Sequence, residues 1–323
     1  MKHTRLFLFV LLSLASVSAL WPASLRVDVA KRRFSFGTAI ENARLALDAS
    51  GKTMWAEAAA SAKWTGAATG EVTPSTPGRL ELRFNEPAIV WTIDFRTGSD
   101  GASAMVTSSI HNTSGAAITL GRCRLADVTT SPSALGLGQA PEKSVAFFES
   151  GSQNASPVAT LSALDKPRKS KTLVQIYNPA SRTAVHLGFV TYDRISTVHE
   201  LAWDKARGVP TLSTYCDFEG FALAPGATVE TEKLRLAAGT DPYAELDTWA
   251  SLVQAQYKVS IWPKIPAGWL GWSWVDGFNV ERYEDIVLRN TRAVRERLPG
   301  LDIEYVWVSI GNCLLYTSDA ADE

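Results

Sequence analysis

The spacing of apolar positions changes once along the chain, near residue 240. Before that point the period is two. Ile89, Trp91, Ile93 and Phe95 alternate with Val90, Thr92 and Asp94, which predicts a strand with one face buried. Leu80-Glu81-Leu82-Arg83-Phe84 alternates more cleanly. The runs Met105–His111 and Ile118–Leu125 flank Asn112-Thr113-Ser114-Gly115, a turn cluster whose glycine accepts positive φ. Thr172–Tyr177, Ala184–Tyr192 and Val229–Leu236 read as further strands, and Ser150–Pro157 as a small polar loop. Many short strands separated by Pro, Gly, Ser and Asn, with few helical periods, predict an antiparallel β-sandwich over residues 20–240.

Beyond residue 240 the period becomes helical. Asp241 is a candidate N-cap with Pro242 at the first helical position. Residues 242–256 place Leu246, Trp249, Ala250 and Val253 on one stripe, and Pro263 and Pro266 stiffen the stretch after it, so 241–266 reads as a linking helix and linker. The apolar run Gly268–Val275 fits a buried parallel strand. A second helix is expected from Glu281 to Leu298, acidic in its first turns and rich in arginine in its last, which complements the helix dipole. Pro299-Gly300 stops it, and Ile303–Ile310 reads as another strand. Strand, helix and strand make one right-handed β-α-β unit. A (β/α)8 TIM barrel takes about 250 residues. Residues 267–312 therefore read as the start of a truncated barrel, poorly stable by itself.

The N-terminus changes the picture of where the protein works. Lys2, His3 and Arg5 precede the apolar stretch Leu6–Val17, and Val17-Ser18-Ala19 offers small residues before a cut. Residues 1–19 read as a signal peptide, with an uncut anchor helix as the alternative. A secreted or periplasmic location is expected, with no membrane contact after cleavage. The formal net charge of −1 offers nothing to a phosphate backbone, so nucleic acid is not an expected partner. The four histidines are scattered at 3, 111, 186 and 199, and no metal or other cofactor is called for. An oxidising compartment permits a Cys123–Cys216 disulfide; two buried thiols fit equally. Eleven tryptophans, concentrated toward the C-terminal part, suit either packing or the faces of sugars. Asn112-Thr113-Ser114 and Asn154-Ala155-Ser156 match the glycosylation sequon but also read as turn residues.

Pro266-Ala267-Gly268-Trp269-Leu270-Gly271-Trp272 resembles the Pro-x-Gly-Trp-x-Ser-Trp opening of the barrel in melibiase-type α-galactosidases, glycoside hydrolase family 36 and relatives. Phe221-Ala222-Leu223-Ala224-Pro225-Gly226 and Glu230–Leu236 resemble the last strands of that family's sandwich, and Asp241–Leu246 its linking helix. Glu304-Tyr305-Val306-Trp307-Val308 is similar to its second barrel strand. The resemblance spans about residues 218–312 and is architectural before that. It departs at Gly271, where the family has Ser, and at Ser309-Ile310-Gly311-Asn312, where the family has Asp-Asp-Gly-Trp. Those aspartates bind sugar hydroxyls and favour galactose, so the resemblance implies a divergent member acting on some α-linked sugar.

A retaining glycosidase needs two carboxylates about 5 Å apart, and a barrel presents them at the C-terminal ends of its strands. The resemblance puts them on strands beyond Asn312, so no residue of this chain is expected to be catalytic. Candidate sugar contacts are Asp276, which comes after the first barrel strand, Trp272 and Trp274 as stacking platforms, and Ser309 at the end of the second strand. Each has a structural alternative, a capping aspartate or a packed tryptophan. The tail 313–323 resembles the translation of a sequencing-adapter end and is set aside. The chain ending at Glu323 is expected to lack hydrolase activity, with the full-length protein an α-galactosidase-like glycosidase; an oligomer is compatible with this reading. The competing reading is a non-catalytic carbohydrate-binding or structural β-sandwich, which would have no use for a β-α-β unit.

Overall fold

The computed structural model describes residues 24–149, 157–260, 267–270, 283–301 and 303–307. It forms two compact units that part after Lys258.

The first unit holds two ten-stranded antiparallel sheets. One runs in the order Arg168–Ser170, Ser196–Asp204, Val209–Leu223, Ile118–Asp127, Ile40–Ala49, Arg33–Phe36, Leu25–Asp28, Glu71–Val72. The other runs Val158–Thr160, Val145–Phe148, Leu173–Asn178, Thr183–Phe189, Leu234–Gly239, Ser103–Asn112, Ala88–Thr97, Gly78–Asn85, Ser61–Thr65. Their inner faces share one hydrophobic core. Phe34 of the first sheet meets Phe95 of the second with ring centroids 5.6 Å apart. Phe189 meets His199 across the same gap at 5.1 Å. This is a β-sandwich, as the two-residue period predicts.

The alternation from Ile89 to Phe95 is realised without exception. Ile89, Trp91, Ile93 and Phe95 are fully buried along Ala88–Thr97. Each such side chain stabilises the fold by roughly 1.5–3 kcal/mol relative to an exposed one. The Trp91 indole N–H, which would otherwise be orphaned in the core, donates to Ser108 Oγ at 2.6 Å. The Asn112 turn carries the chain from Ser103–Asn112 in one sheet to Ile118–Asp127 in the other. Asn112 is itself buried: its amide donates to the carbonyls of Ala116 and Leu223, and its oxygen accepts from the backbone N–H and hydroxyl of Ser114. Here the sequon serves as turn chemistry, with the amide nitrogen already committed. Asn154 lies outside the described residues.

Two local expectations differ from the structure. Val229–Leu236 is not one strand but two, Thr228–Glu230 and Leu234–Gly239, both paired with Ser103–Asn112. The break falls at Glu232, whose buried carboxylate accepts the N–H groups of Arg194 and Ile195. A carboxylate turned inward needs such donors, and supplying them interrupts the ladder. On the linking helix, Ala250 is exposed, and the stripe that meets the sandwich is Glu245, Leu246, Trp249, Val253 and Tyr257.

That helix, α1 (Pro242–Tyr257), begins where predicted. Asp241 caps it, accepting from the N–H groups of Tyr243 at 2.9 Å and Ala244 at 3.3 Å. It ends at Lys258 in the left-handed region, φ 50°. α1 packs on the outer face of the strands Leu173–Asn178, Thr183–Phe189 and Leu234–Gly239. Gly188 allows the approach, since a Cβ there would stand 2.7 Å from the Trp249 ring. With α1 on one face and the core on the other, all seven residues of Thr183–Phe189 are buried.

The second unit contains a parallel pair, Gly268–Leu270 with Tyr305–Trp307, in the register Gly268↔Tyr305 and Leu270↔Trp307. A helix, α2 (Tyr283–Arg297), lies between them in sequence, followed by a tight turn at Pro299–Leu301. Gly268 lets its neighbour lie close: with the Tyr305 ring where it stands, a Cβ would sit 2.1 Å from it.

Candidate functional site

Parallel pairing of Gly268–Leu270 with Tyr305–Trp307 places the C-terminal ends of both strands at the same edge. Open α/β structures and barrels build their ligand sites at that edge. The four sequence-predicted contacts all come after these ends in the chain. Trp272, Trp274 and Asp276 come after Leu270, and Ser309 after Trp307. All four lie outside the described residues. On the described part of this unit, a cavity of about 590 Å³ is lined by Val294, Arg295, Leu298, Ile303 and Tyr305, with Leu288, Leu298, Leu301 and Tyr305 exposed.

In the sandwich, charged groups are held mainly by one another. Glu57 receives Arg33 at 3.0 Å and Arg44 at 2.9 Å, and the Arg44 guanidinium lies 3.5 Å from the Trp55 ring centroid. Asp48 takes Arg124 at 2.8 Å and Thr53 at 2.7 Å; these partners hold its carboxyl below the usual range against the opposing effect of burial. No group of three His, Cys, Asp or Glu side chains is placed to hold a metal among the described residues. Open depressions on the described surface of the sandwich include two. One, of about 290 Å³, lies at the mouth between the sheets, where half-exposed Phe221 joins Ile195, Phe218 and Val229 under a rim of Arg194, Asp217 and Glu219. The other, of about 540 Å³, is polar, with Arg26, Asp28, Ser35, Asn42 and Thr69 along it.

The sandwich also carries a buried polar layer beneath α1 that sequence patterning did not single out. Gln175 and His186 are directly paired across their strands, and His186 Nδ1 lies 3.2 Å from Gln175 Oε1. The Gln175 amide donates to the Pro242 carbonyl at 2.7 Å, anchoring the first turn of α1. Arg235, buried, donates to Glu245 at 2.9 Å, and the Trp249 N–H donates to the Phe189 carbonyl at 2.8 Å. Among the described residues, His186 Nε2 and Arg235 Nη1 have no hydrogen-bond partner. Burial, and then the positive charge of Arg235, push His186 down to about 3. Burial alone pushes His199, on the inner face, down to about 3, despite its bond to the Thr172 carbonyl. Both rings are neutral in the fold, as packed groups rather than proton carriers. One signal for this layer was present in the sequence: His186 interrupts the otherwise apolar Ala184–Phe189, which requires a cover on that face.

Cys123 and Cys216 are both free and buried, and they are direct partners across their strands. Burial pushes the Cys123 thiol up to about 12 and the Cys216 thiol well above its ordinary value.

No protein-family profile matches the chain, and no curated protein does. Solved structures do. An α-N-acetylgalactosaminidase from Bifidobacterium bifidum, in complex with Gal-NHAc-DNJ, matches with TM-score 0.55 at 14% identity over 84% of this chain. An α-galactosidase from Lactobacillus brevis matches with TM-score 0.43 at 13% identity over 83% of this chain, and a family 36 α-galactosidase from Geobacillus stearothermophilus, in complex with raffinose, with TM-score 0.44 at 12% identity over 83%. This chain spans 48% of the first of these chains, 38% of the second and 39% of the third. The likeness to the α-N-acetylgalactosaminidase is one of fold.

Proposed function

We propose that this chain is the sandwich-bearing part of an exported glycoside hydrolase that cleaves a terminal α-linked sugar. The observation that carries the reading is the order of parts within a fold shared over 84% of the chain with an α-N-acetylgalactosaminidase. A β-sandwich is followed by a docked helix and then by a parallel strand–helix–strand segment. Leu288, Leu298 and Tyr305, exposed on that segment, are the apolar cover further β-α units of a (β/α)8 barrel would take.

In this reading the site forms at the strand ends beyond Leu270 and Trp307. Asp276 accepts a sugar hydroxyl, Trp272 or Trp274 stacks on a ring face, and Ser309 is a further, weaker contact. Two carboxylates about 5 Å apart, on later strands, act as nucleophile and general acid/base, so the anomeric configuration is retained. Ser309 and Ile310 stand where galactose-directed aspartates are expected, so the reading commits to an α-linked sugar and not to galactose. The apolar run Leu6–Val17 directs export, with cleavage after Ala19.

The test is to express residues 1–312 joined to the sequence that follows Asn312 in the intact gene and to assay 4-nitrophenyl α-galactoside and 4-nitrophenyl α-N-acetylgalactosaminide. Turnover of one of them with retention, and a lower kcat/KM for Asp276→Ala, is the expected result. The chain ending at Glu323 should turn over neither. A full-length protein that binds sugars but hydrolyses no α-glycoside would overturn the enzyme reading in favour of a binding sandwich. N-terminal sequencing of exported protein checks the cleavage position.

A further inference from the structure

Cys123 and Cys216 face each other in the antiparallel pair of Ile118–Asp127 with Val209–Leu223. The flanking couples, Arg122 with Asp217 and Arg124 with Tyr215, turn to the opposite face, where Arg122 reaches Asp217 at 3.4 Å and lies 4.9 Å from the Tyr215 ring. Both cysteines therefore project into the core, and both are fully buried there. Residues directly opposite in an antiparallel pair have Cα atoms about 4.5 or 5.5 Å apart. A disulfide accepts Cα separations of about 4.4–6.8 Å. Register alone thus brings the two Cα atoms within the range a disulfide accepts. Neither thiol lines any of the three cavities described, so neither serves a ligand there.

We propose that Cys123 and Cys216 form a structural disulfide when the chain folds in an oxidising compartment, stapling two neighbouring strands of one sheet inside the sandwich. One thiolate attacks a sulfur of an incoming disulfide, oxidised glutathione or that of an oxidoreductase, giving a mixed disulfide and releasing one thiol. The second thiolate attacks the protein sulfur of the mixed disulfide, forms the Cys123–Cys216 bond and releases the other half. Two electrons pass to the incoming disulfide, and the two protein protons end on the released thiols. The order of events is set by burial. In the folded sandwich both thiols are inaccessible and held in the protonated form. The bond must form while the strands are still apart, and afterwards the core shields it from reductants. It records the compartment in which the chain folded.

The experiment uses Cys313→Ser, which leaves these two cysteines alone. The protein is reduced and unfolded in urea, refolded in a mixture of reduced and oxidised glutathione, and its thiols are counted under denaturing conditions. No free thiol, a peptic fragment joining Cys123 to Cys216, and a urea midpoint above that of the reduced form are expected. The same protein folded under reductant and then exposed to oxidised glutathione should keep both thiols. In the unaltered chain, synthesised in a redox-buffered cell-free reaction, one thiol of three should remain, which gives the same readout if the variant folds poorly. Folded protein that keeps both thiols after refolding in glutathione, or that carries only glutathione adducts or intermolecular links, overturns the proposal.

Discussion

Acid should weaken the sandwich well above the pH at which its carboxylates titrate, because His186 and His199 are buried neutral. Both are near 6.5 when unfolded and about 3 when folded. Between these values the unfolded chain binds protons that the folded chain cannot. Their contribution to stability is complete above 6.5 and is lost as pH falls toward the folded values. At about pH 5 each ring lowers the unfolding free energy by about 2 kcal/mol relative to about pH 7.5, and the two together by about 4 kcal/mol. Asp28 and Asp48, with folded values below 3.8, act at lower pH and leave this window to the histidines. Urea unfolding followed by far-ultraviolet circular dichroism at the two pH values reads the difference. His199→Gln keeps a hydrogen-bonding group beside Thr214 and should remove about half of the pH dependence. A stability that changes by less than about 1 kcal/mol across this window would refute the buried-neutral assignment, as would an unchanged pH dependence in the glutamine variant.

Other outcomes concern the cover that α1 provides. Glu245→Ala leaves Arg235 buried without its carboxylate and should destabilise the fold by about 3–5 kcal/mol, read from the urea midpoint; Arg235→Met with Glu245→Leu should recover most of that loss. Gly188→Ala drives a methyl against Trp249 and His186; it should speed amide hydrogen exchange in α1 while leaving exchange in Ala88–Thr97 unchanged. Asp241→Ala removes the acceptor for two helix N–H groups and should cost about 1 kcal/mol of helix stability, seen as earlier fraying of the first turn in exchange.

The strands that were most legible share one property: their buried faces are wholly apolar. Ala88–Thr97 and Gly78–Asn85 place Ile, Leu, Trp and Phe at nearly every inward position, so the two-residue period stands out. The long hairpin Ser196–Asp204 with Val209–Leu223 does not stand out, because polar groups occupy buried positions along it. His199 pairs with Thr214 at 3.0 Å, and Ser213 donates to Asp127 at 3.1 Å. Such couples satisfy each other across strands, and only the register reveals them. The same holds for Gln175, His186 and Arg235, whose cover arrives from a helix more than fifty residues after His186. Asp241 and Pro242 were legible because capping is local chemistry. The candidate sugar contacts rest on the family resemblance, come after the two parallel strand ends in sequence, and lie outside the described residues.

The Gln175–Pro242 and Arg235–Glu245 contacts also bear on how this protein can be divided. A boundary drawn at the end of the last sandwich strand, Gly239, would strip the cover from a charged guanidinium, a neutral imidazole and the strand Thr183–Phe189. Such a piece would be expected to come out of the cell in inclusion bodies. A boundary after Lys258 keeps the lid with its vessel and is the place for a subcloner to cut.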